Sequence, residues 1–177
     1  MAEINGPDVS SWQHPGGAAI DWAAVRAAGQ PFAFVKATED TTYANPYFAT
    51  DWAAIKAAGM FRGSYHFARP ASPAVDQANY FISRAGPSRQ PGDLPPVLDL
   101  EDTGGLPPPA LVAWTQAFLS RVQALTGRAP MIYISPNFWV NAMGDSHAFT
   151  SYPLWIARWT SAATPDPGAY MVDTQPW

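Results

Sequence analysis

The chain has 177 residues, a net charge of −4 and a charged fraction of 14%, below the usual ~25%. That balance excludes the basic footprint of a nucleic-acid binder, and no apolar run approaches the roughly 18 residues of a membrane-spanning helix. Aromatic residues make up 14%, eight of them Trp, and Cys is absent, so the chain has apolar mass for one core, rings to spare for stacking on flat ligand faces, and no disulfide.

The opening residues, Met1 to Pro7, lack a basic segment and an apolar segment, so no secretory signal is expected. Residues 6–13 read as a first strand carrying Asp8, broken by His14-Pro15-Gly16-Gly17. Asp21 is placed to cap a helix over 22–28 that Gly29 closes. A second strand over 32–39 ends in Glu39, and a loop over 40–45 leads into a helix over 46–58, ended by Gly59. The stretch Asp21-Trp22-Ala23-Ala24 through Gly29 recurs thirty positions later as Asp51-Trp52-Ala53-Ala54 through Gly59, about the length of one βα unit. A third strand covers 61–68, with Tyr65 and His66, and a helix follows over 73–84. A Pro- and Gly-rich connection over 86–96 then enters the fourth strand, Val97-Leu98-Asp99-Leu100-Glu101. The long helix over 110–126 carries Leu111, Trp114, Phe118, Val122 and Leu125 at helical spacing. Strands over 130–135, 152–159 and 169–175, with a short helix over 137–143, complete the chain.

Strands alternating with helices predict an α/β fold whose mostly parallel sheet is closed, or nearly closed, as a TIM-like β/α barrel, in a single domain over 1–177. In such barrels the chemistry sits at the C-terminal ends of the strands. Those ends supply Asp8, Glu39, Tyr65, His66, Asp99, Glu101, Tyr133 and Arg158, which are expected to meet in one acidic cleft walled by aromatic rings.

Asp99 and Glu101 carry the most chemistry. Two residues apart on a strand, they point to the same side with Cα atoms roughly 6.5–7 Å apart. Like charges that close drive their pKa values apart, so one carboxyl stays protonated while the other is ionised. The bland alternative is a strand end whose acids cap a helix or pair with Arg. An acid pair with Tyr and Trp and a single His fits glycoside hydrolysis, which needs a proton donor at the leaving oxygen and an anion near the developing cation. His66 reads as a hydrogen-bonded core or cleft-wall residue. No ligand cluster calls for a metal and no cofactor is expected; a Gly-x-Ser-x-Gly elbow and a phosphate-binding Gly loop are both absent.

Six stretches carry a resemblance over nearly the whole chain: Asp8-Val9-Ser10-Ser11-Trp12-Gln13, Asp21-Trp22, Phe34-Val35-Lys36-Ala37-Thr38-Glu39, Gly63-Ser64-Tyr65-His66-Phe67, Leu98-Asp99-Leu100-Glu101 and Leu154-Trp155-Ile156-Ala157. In this order and spacing they resemble the family 25 glycoside hydrolases, the Chalaropsis-type lysozymes. The resemblance implies an irregular, flattened barrel and N-acetylmuramidase activity on the β-1,4 bond from N-acetylmuramic acid to N-acetylglucosamine in peptidoglycan. It implies Glu101 as general acid, with a raised pKa. Asp99 would be its ionised neighbour, orienting the 2-acetamido group, and Asp8 a further acid. Tyr65, Tyr133, Trp155 and Glu39 would contact substrate. Retention through acetamido assistance and inversion both stay open, and an acid two residues from the proton donor favours assistance.

The resemblance also predicts a further strand. Family members continue with a Trp-Gln-Tyr strand and a Val-Asp-x-Asn segment, whereas this chain stops at Gln175-Pro176-Trp177, so an eighth strand is expected to be missing and the sheet edges to be open to association. Asp173 is not assigned to the family's last cleft acid. The expected partner is a peptidoglycan glycan strand, reached at the bacterial wall either as a secreted enzyme or as a phage endolysin, with no nucleic acid and no membrane involved. The competing readings are a non-catalytic glycan-binding module on the same barrel and a hydrolase of another amino-sugar polymer such as chitin.

Overall fold

In the computed structural model, which describes residues 4–157, strands and helices alternate along the chain. The elements are β1 (Asp8–Val9), α1 (Trp22–Ala27), β2 (Phe32–Glu39), β3 (Tyr43–Ala44), α2 (Phe48–Ala57), β4 (Phe61–Phe67), α3 (Ala74–Ala85), β5 (Val97–Asp99), α4 (Pro108–Thr126), β6 (Met131–Ile134), α5 (Pro136–Ala142) and β7 (Leu154–Ile156). One sheet runs β1-β2-β4-β5-β6-β7 with every neighbouring pair parallel, and β3 adds antiparallel to β2. The sheet curls. The ring of Phe34 on β2 packs 4.7 Å from that of Trp155 on β7, although three strands separate them in the sheet order. The result is an α/β half-barrel, open between β1 and β7 among the described residues. No helix there is long and apolar enough to cross a membrane.

Period-two alternation sorts the strand side chains. His66, Leu98, Ile132, Ile134 and Leu154 are buried, and the aliphatic ones join the core with Leu111, Phe118 and Leu119 of α4 and Phe81 of α3. Tyr65, Phe67, Val97, Asp99, Tyr133 and Trp155, the alternate positions, line the concave side. Gly63 belongs to this inner set, and the Phe34 ring lies where its Cβ would be.

Asp21 caps α1 as expected, accepting from Ala24 N–H at 3.0 Å. The thirty-residue echo folds alike: Ala28 and Ala58 each donate to the carbonyl four residues back at 2.9 Å, and Gly29 and Gly59 leave the helices at positive φ. Its aspartates have parted, because Asp51 lies inside α2 and is buried. Three expectations are corrected. The first strand keeps only Asp8–Val9, since Ser10 caps a 3-10 turn, Ser11–Gln13, that takes over the backbone hydrogen bonding. The loop over 40–45 contains β3. Proline at the first helical position starts α4 at Pro108, two residues early. The strand expected over 169–175, Asp173 and Arg158 lie outside the described residues.

Candidate active site

The cleft floor follows from register. Phe67 stands opposite Asp99, Asp99 opposite Tyr133 and Tyr133 opposite Trp155, so four adjacent strands deliver one row of side chains. Two residues earlier, Lys36, Tyr65 and Val97 form a second row. With Asp8, Ser10, Trp12 and Glu101 these rows enclose a cleft of about 650 Å³ including its open mouth, within the size range of small-ligand sites. Tyr133 meets Trp155 edge-on, with centroids 4.9 Å apart.

The two central acids differ in environment. Asp99 ends β5 and is 7% exposed; Glu101, two residues on and past the strand, is exposed. Burial pushes the Asp99 carboxyl up to about 8, and the charge and hydrogen bonding of the adjacent Glu101 add to the rise. Lys36 acts against the rise without cancelling it. Asp99 Oδ1 is buried with no hydrogen-bond partner among the described residues. The sequence places the raised pKa on Glu101 and leaves Asp99 ionised, whereas the push toward the protonated form falls on Asp99, which the sheet ladder and its neighbours shield from water. The hydroxyl of Tyr65 is raised by burial and by the charges of Asp8 and Asp99. That of Tyr133 is pushed up to about 12 by burial and by Glu101, Asp99 and Asp8. Both tyrosines stay neutral hydrogen-bonding groups facing a cluster of carboxylates.

The remaining candidates separate. Asp8, on β1, is exposed at the cleft edge. Glu39 is turned into an ion-pair network rather than into the lining: Lys36 Nζ lies 2.6 Å from its Oε2, and Arg69 donates to its Oε1 at 2.8 Å. Burial would raise Glu39, and these two cations outweigh it and hold the carboxyl below its usual range. Arg69 also donates to Asp102 at 2.7 Å, which ties the residue after Glu101 to the end of β4. His66 faces the helices, between Phe81 and Phe118. Its ring contacts the Thr38 hydroxyl at 2.8 Å and Gln77 Oε1 at 2.9 Å, and burial lowers its pKa to about 4. It is a core residue.

Lys36, Phe67, Ser10 and Trp12 line the cleft without having been singled out. Lys36 and Phe67 were findable, since each sits two residues along a strand from another inward-facing side chain, Phe34 and Tyr65 respectively. Lys36 Nζ is fixed over the Phe67 ring at 4.7 Å, a cation held beside the acids. Trp12 had no such signal, because the chain leaves the strand before reaching it.

Comparison with known proteins identifies the family and the fold. The model for Glycosyl hydrolases family 25 matches residues 7–177. An N,O-diacetylmuramidase of Chalaropsis sp is 39% identical over 184 residues, covering 97% of this chain and 85% of the relative. An N,O-diacetylmuramidase of Arthroderma benhamiae is 36% identical, covering 97% and 74%. Among solved structures, a muramidase from Trichobolus zukalii superposes with a TM-score of 0.87 at 37% identity, covering 95% of this chain and 83% of that one.

Proposed function

The chain belongs to glycosyl hydrolases family 25, and on that premise we propose that it is a lysozyme acting at the bacterial cell wall, hydrolysing the β-1,4 bond from N-acetylmuramic acid to N-acetylglucosamine in peptidoglycan. Residues 1–177 act as one catalytic domain. The observation that carries the reading is the Asp99–Glu101 pair, a buried carboxyl beside an exposed one in a cleft walled by Tyr65, Tyr133 and Trp155.

The pair holds one proton between two unequal sites. Burial and the charge of Glu101 favour its resting on Asp99. A substrate acetamide N–H donating to Asp99 Oδ1, which has no partner among the described residues, stabilises the ionised form of that carboxyl, as any hydrogen bond to a carboxylate does. The proton then passes to Glu101, which is exposed to the glycosidic oxygen and gives it up as the general acid. Asp99, now an anion, holds the acetamide whose oxygen can assist at the sugar's anomeric carbon. Asp8 adds negative charge near the developing oxocarbenium ion, and Lys36 keeps that charge from accumulating without compensation.

The test is Glu101→Gln against cell-wall suspensions. The variant should lose lysis by about a hundredfold or more, the scale of general-acid catalysis, and melt no lower than the parent, because the side chain is exposed and its charge only adds to the cost of burying Asp99. Lysis at the parental rate would remove Glu101 from the acid's role. Glycan binding by the parent without new reducing ends would assign the cleft to a non-catalytic module instead.

A further inference from the structure

Five large apolar side chains are exposed among the described residues: Ile4, Trp12, Phe61, Val75 and Val140. Trp12 is the most exposed, at 87%, and it alone of the five borders the cleft. Single exposed apolar side chains are ordinary on protein surfaces. What distinguishes this one is the backbone beneath it. Ser10 caps the turn, its hydroxyl accepting from the Trp12 N–H at 3.3 Å, and Gln13 Oε1 reaches back to accept from the Ser10 N–H at 2.7 Å. Tyr43 of β3 donates its hydroxyl to Ser11 Oγ at 2.9 Å.

The far end of the turn is fastened more deeply. His14 is buried, with Nε2 2.8 Å from Asp51 Oδ2 of α2 and Nδ1 2.8 Å from the Ala18 carbonyl. The second oxygen of Asp51 accepts from the Trp22 indole at 3.0 Å, and the Tyr47 ring stacks on His14 at 3.9 Å. The turn is thus tied down at Ser10, Ser11, Gln13 and His14, while the side chain between them contributes almost nothing to the packing.

An indole held out from a rigid base beside this cleft matches a ligand with one flat apolar face and polar edges. A pyranose ring has that shape. The Trp12 turn follows β1 while the acids stand at the end of β5, so a ring against Trp12 sits on the β1 side of the same cleft. We propose that Trp12 is a sugar-stacking platform that binds an N-acetylhexosamine unit of the glycan on the β1 side of the cleft. The assignment rests on the glycan-cleaving reading above and adds a binding position to it. The proposed unit is one away from the reacting bond, so the platform holds ground state and transition state alike and contributes to KM rather than kcat.

Trp12→Ala and Trp12→Phe, assayed with soluble uncrosslinked glycan chains by counting reducing ends, test it. Trp12→Ala should raise KM about five- to tenfold, the size of one aromatic stacking contact, and leave kcat and the melting temperature unchanged. Trp12→Phe should recover most of the loss. An unchanged KM in Trp12→Ala overturns the proposal, as does a raised KM that comes with a lowered melting temperature and no recovery by Phe. If the parent binds the chains without turnover, the lytic reading fails separately and calorimetry still decides the platform. Weaker binding by Trp12→Ala then supports it, and equal binding, or none by the parent, overturns it.

Discussion

Replacing Asp99 by Asn should make the protein more stable and less active, with a gain in stability that depends on pH. Burial and the adjacent Glu101 push the Asp99 carboxyl up to about 8 in the fold, against an ordinary value of 3.8. The folded state therefore binds this proton more tightly than the unfolded chain does. Its contribution to stability is fully present below about pH 3.8, falls as the pH rises, and is lost once the pH passes about 8. At pH 7 the unfolded chain has ionised the group and the folded site has not. At 1.36 kcal/mol for each pH unit between 3.8 and 7, the deficit is at most about 4 kcal/mol. Relaxation of the pair and entry of water into the open cleft reduce this, and about 2 kcal/mol is a working figure. Asn has nearly the same shape and no charge at any pH, so it removes the deficit. For a chain of this size that raises the midpoint by roughly 4–8 °C near neutrality. Thermal melts of parent and variant at about pH 7.5 and about pH 3.5 measure it: the variant should melt higher at the first pH and level with the parent at the second. A gap of equal size at both pH values, or a variant less stable near neutrality, would refute the argument that burial holds this carboxyl protonated. The same variant should lose most of its lytic rate, since a neutral amide cannot take up the anionic role.

Two further outcomes follow from the surroundings of the cleft. His66 is kept neutral with a native pKa of about 4 against 6.5, so the unfolded chain binds its proton more tightly, and stability should fall by about 3 kcal/mol as the pH drops from 6.5 through 4. Because Asp99 changes stability in the opposite sense over that window, urea unfolding in the Asp99→Asn background isolates the effect; an unchanged midpoint across the window would place His66 outside the water-excluded core. Gly63→Ala puts a methyl group into the Phe34 ring, which itself packs on Trp155, so it should cost about 1–3 kcal/mol and alter near-ultraviolet circular dichroism along with KM. A variant with parental stability and an unchanged aromatic signal would show that the ring moves aside freely.

Much of this site could be read from residues alone because strand alternation is rigid. Once Asp99 faces the cleft, so do Val97 and Glu101, and parallel pairing brings Tyr65, Tyr133 and Trp155 alongside. The helices were legible for a similarly local reason, with Asp21 and the glycines after Ala28 and Ala58 marking their ends. What was not legible depended on distance in the sequence. Which of two neighbouring acids is buried is decided by where the ladder to β4 and β6 stops, and neither acid carries that information. Glu39 lies at a strand end like Asp99, and Arg69, thirty residues on, joins the nearby Lys36 in making it part of an ion-pair network. Alternation from Tyr65, by contrast, turns His66 to the helix side, and Phe81 of α3 and Phe118 of α4 enclose it there.

Strand β5 is three residues long and stops between its two acids. That boundary makes them chemically distinct. Asp99 inherits the stiffness and dryness of a sheet, and Glu101 the solvent and freedom of a loop, although the chain itself supplies two nearly identical carboxyls. Extending the ladder by one more pair of residues would carry Glu101 into the same dry environment and leave the site with two acids competing to stay neutral and none free to meet a leaving group. On the proposed roles of the two acids, the length of this strand sets the reaction as well as the fold. Loop changes between Glu101 and α4 that lengthen or shorten the pairing should reach the chemistry without touching either acid.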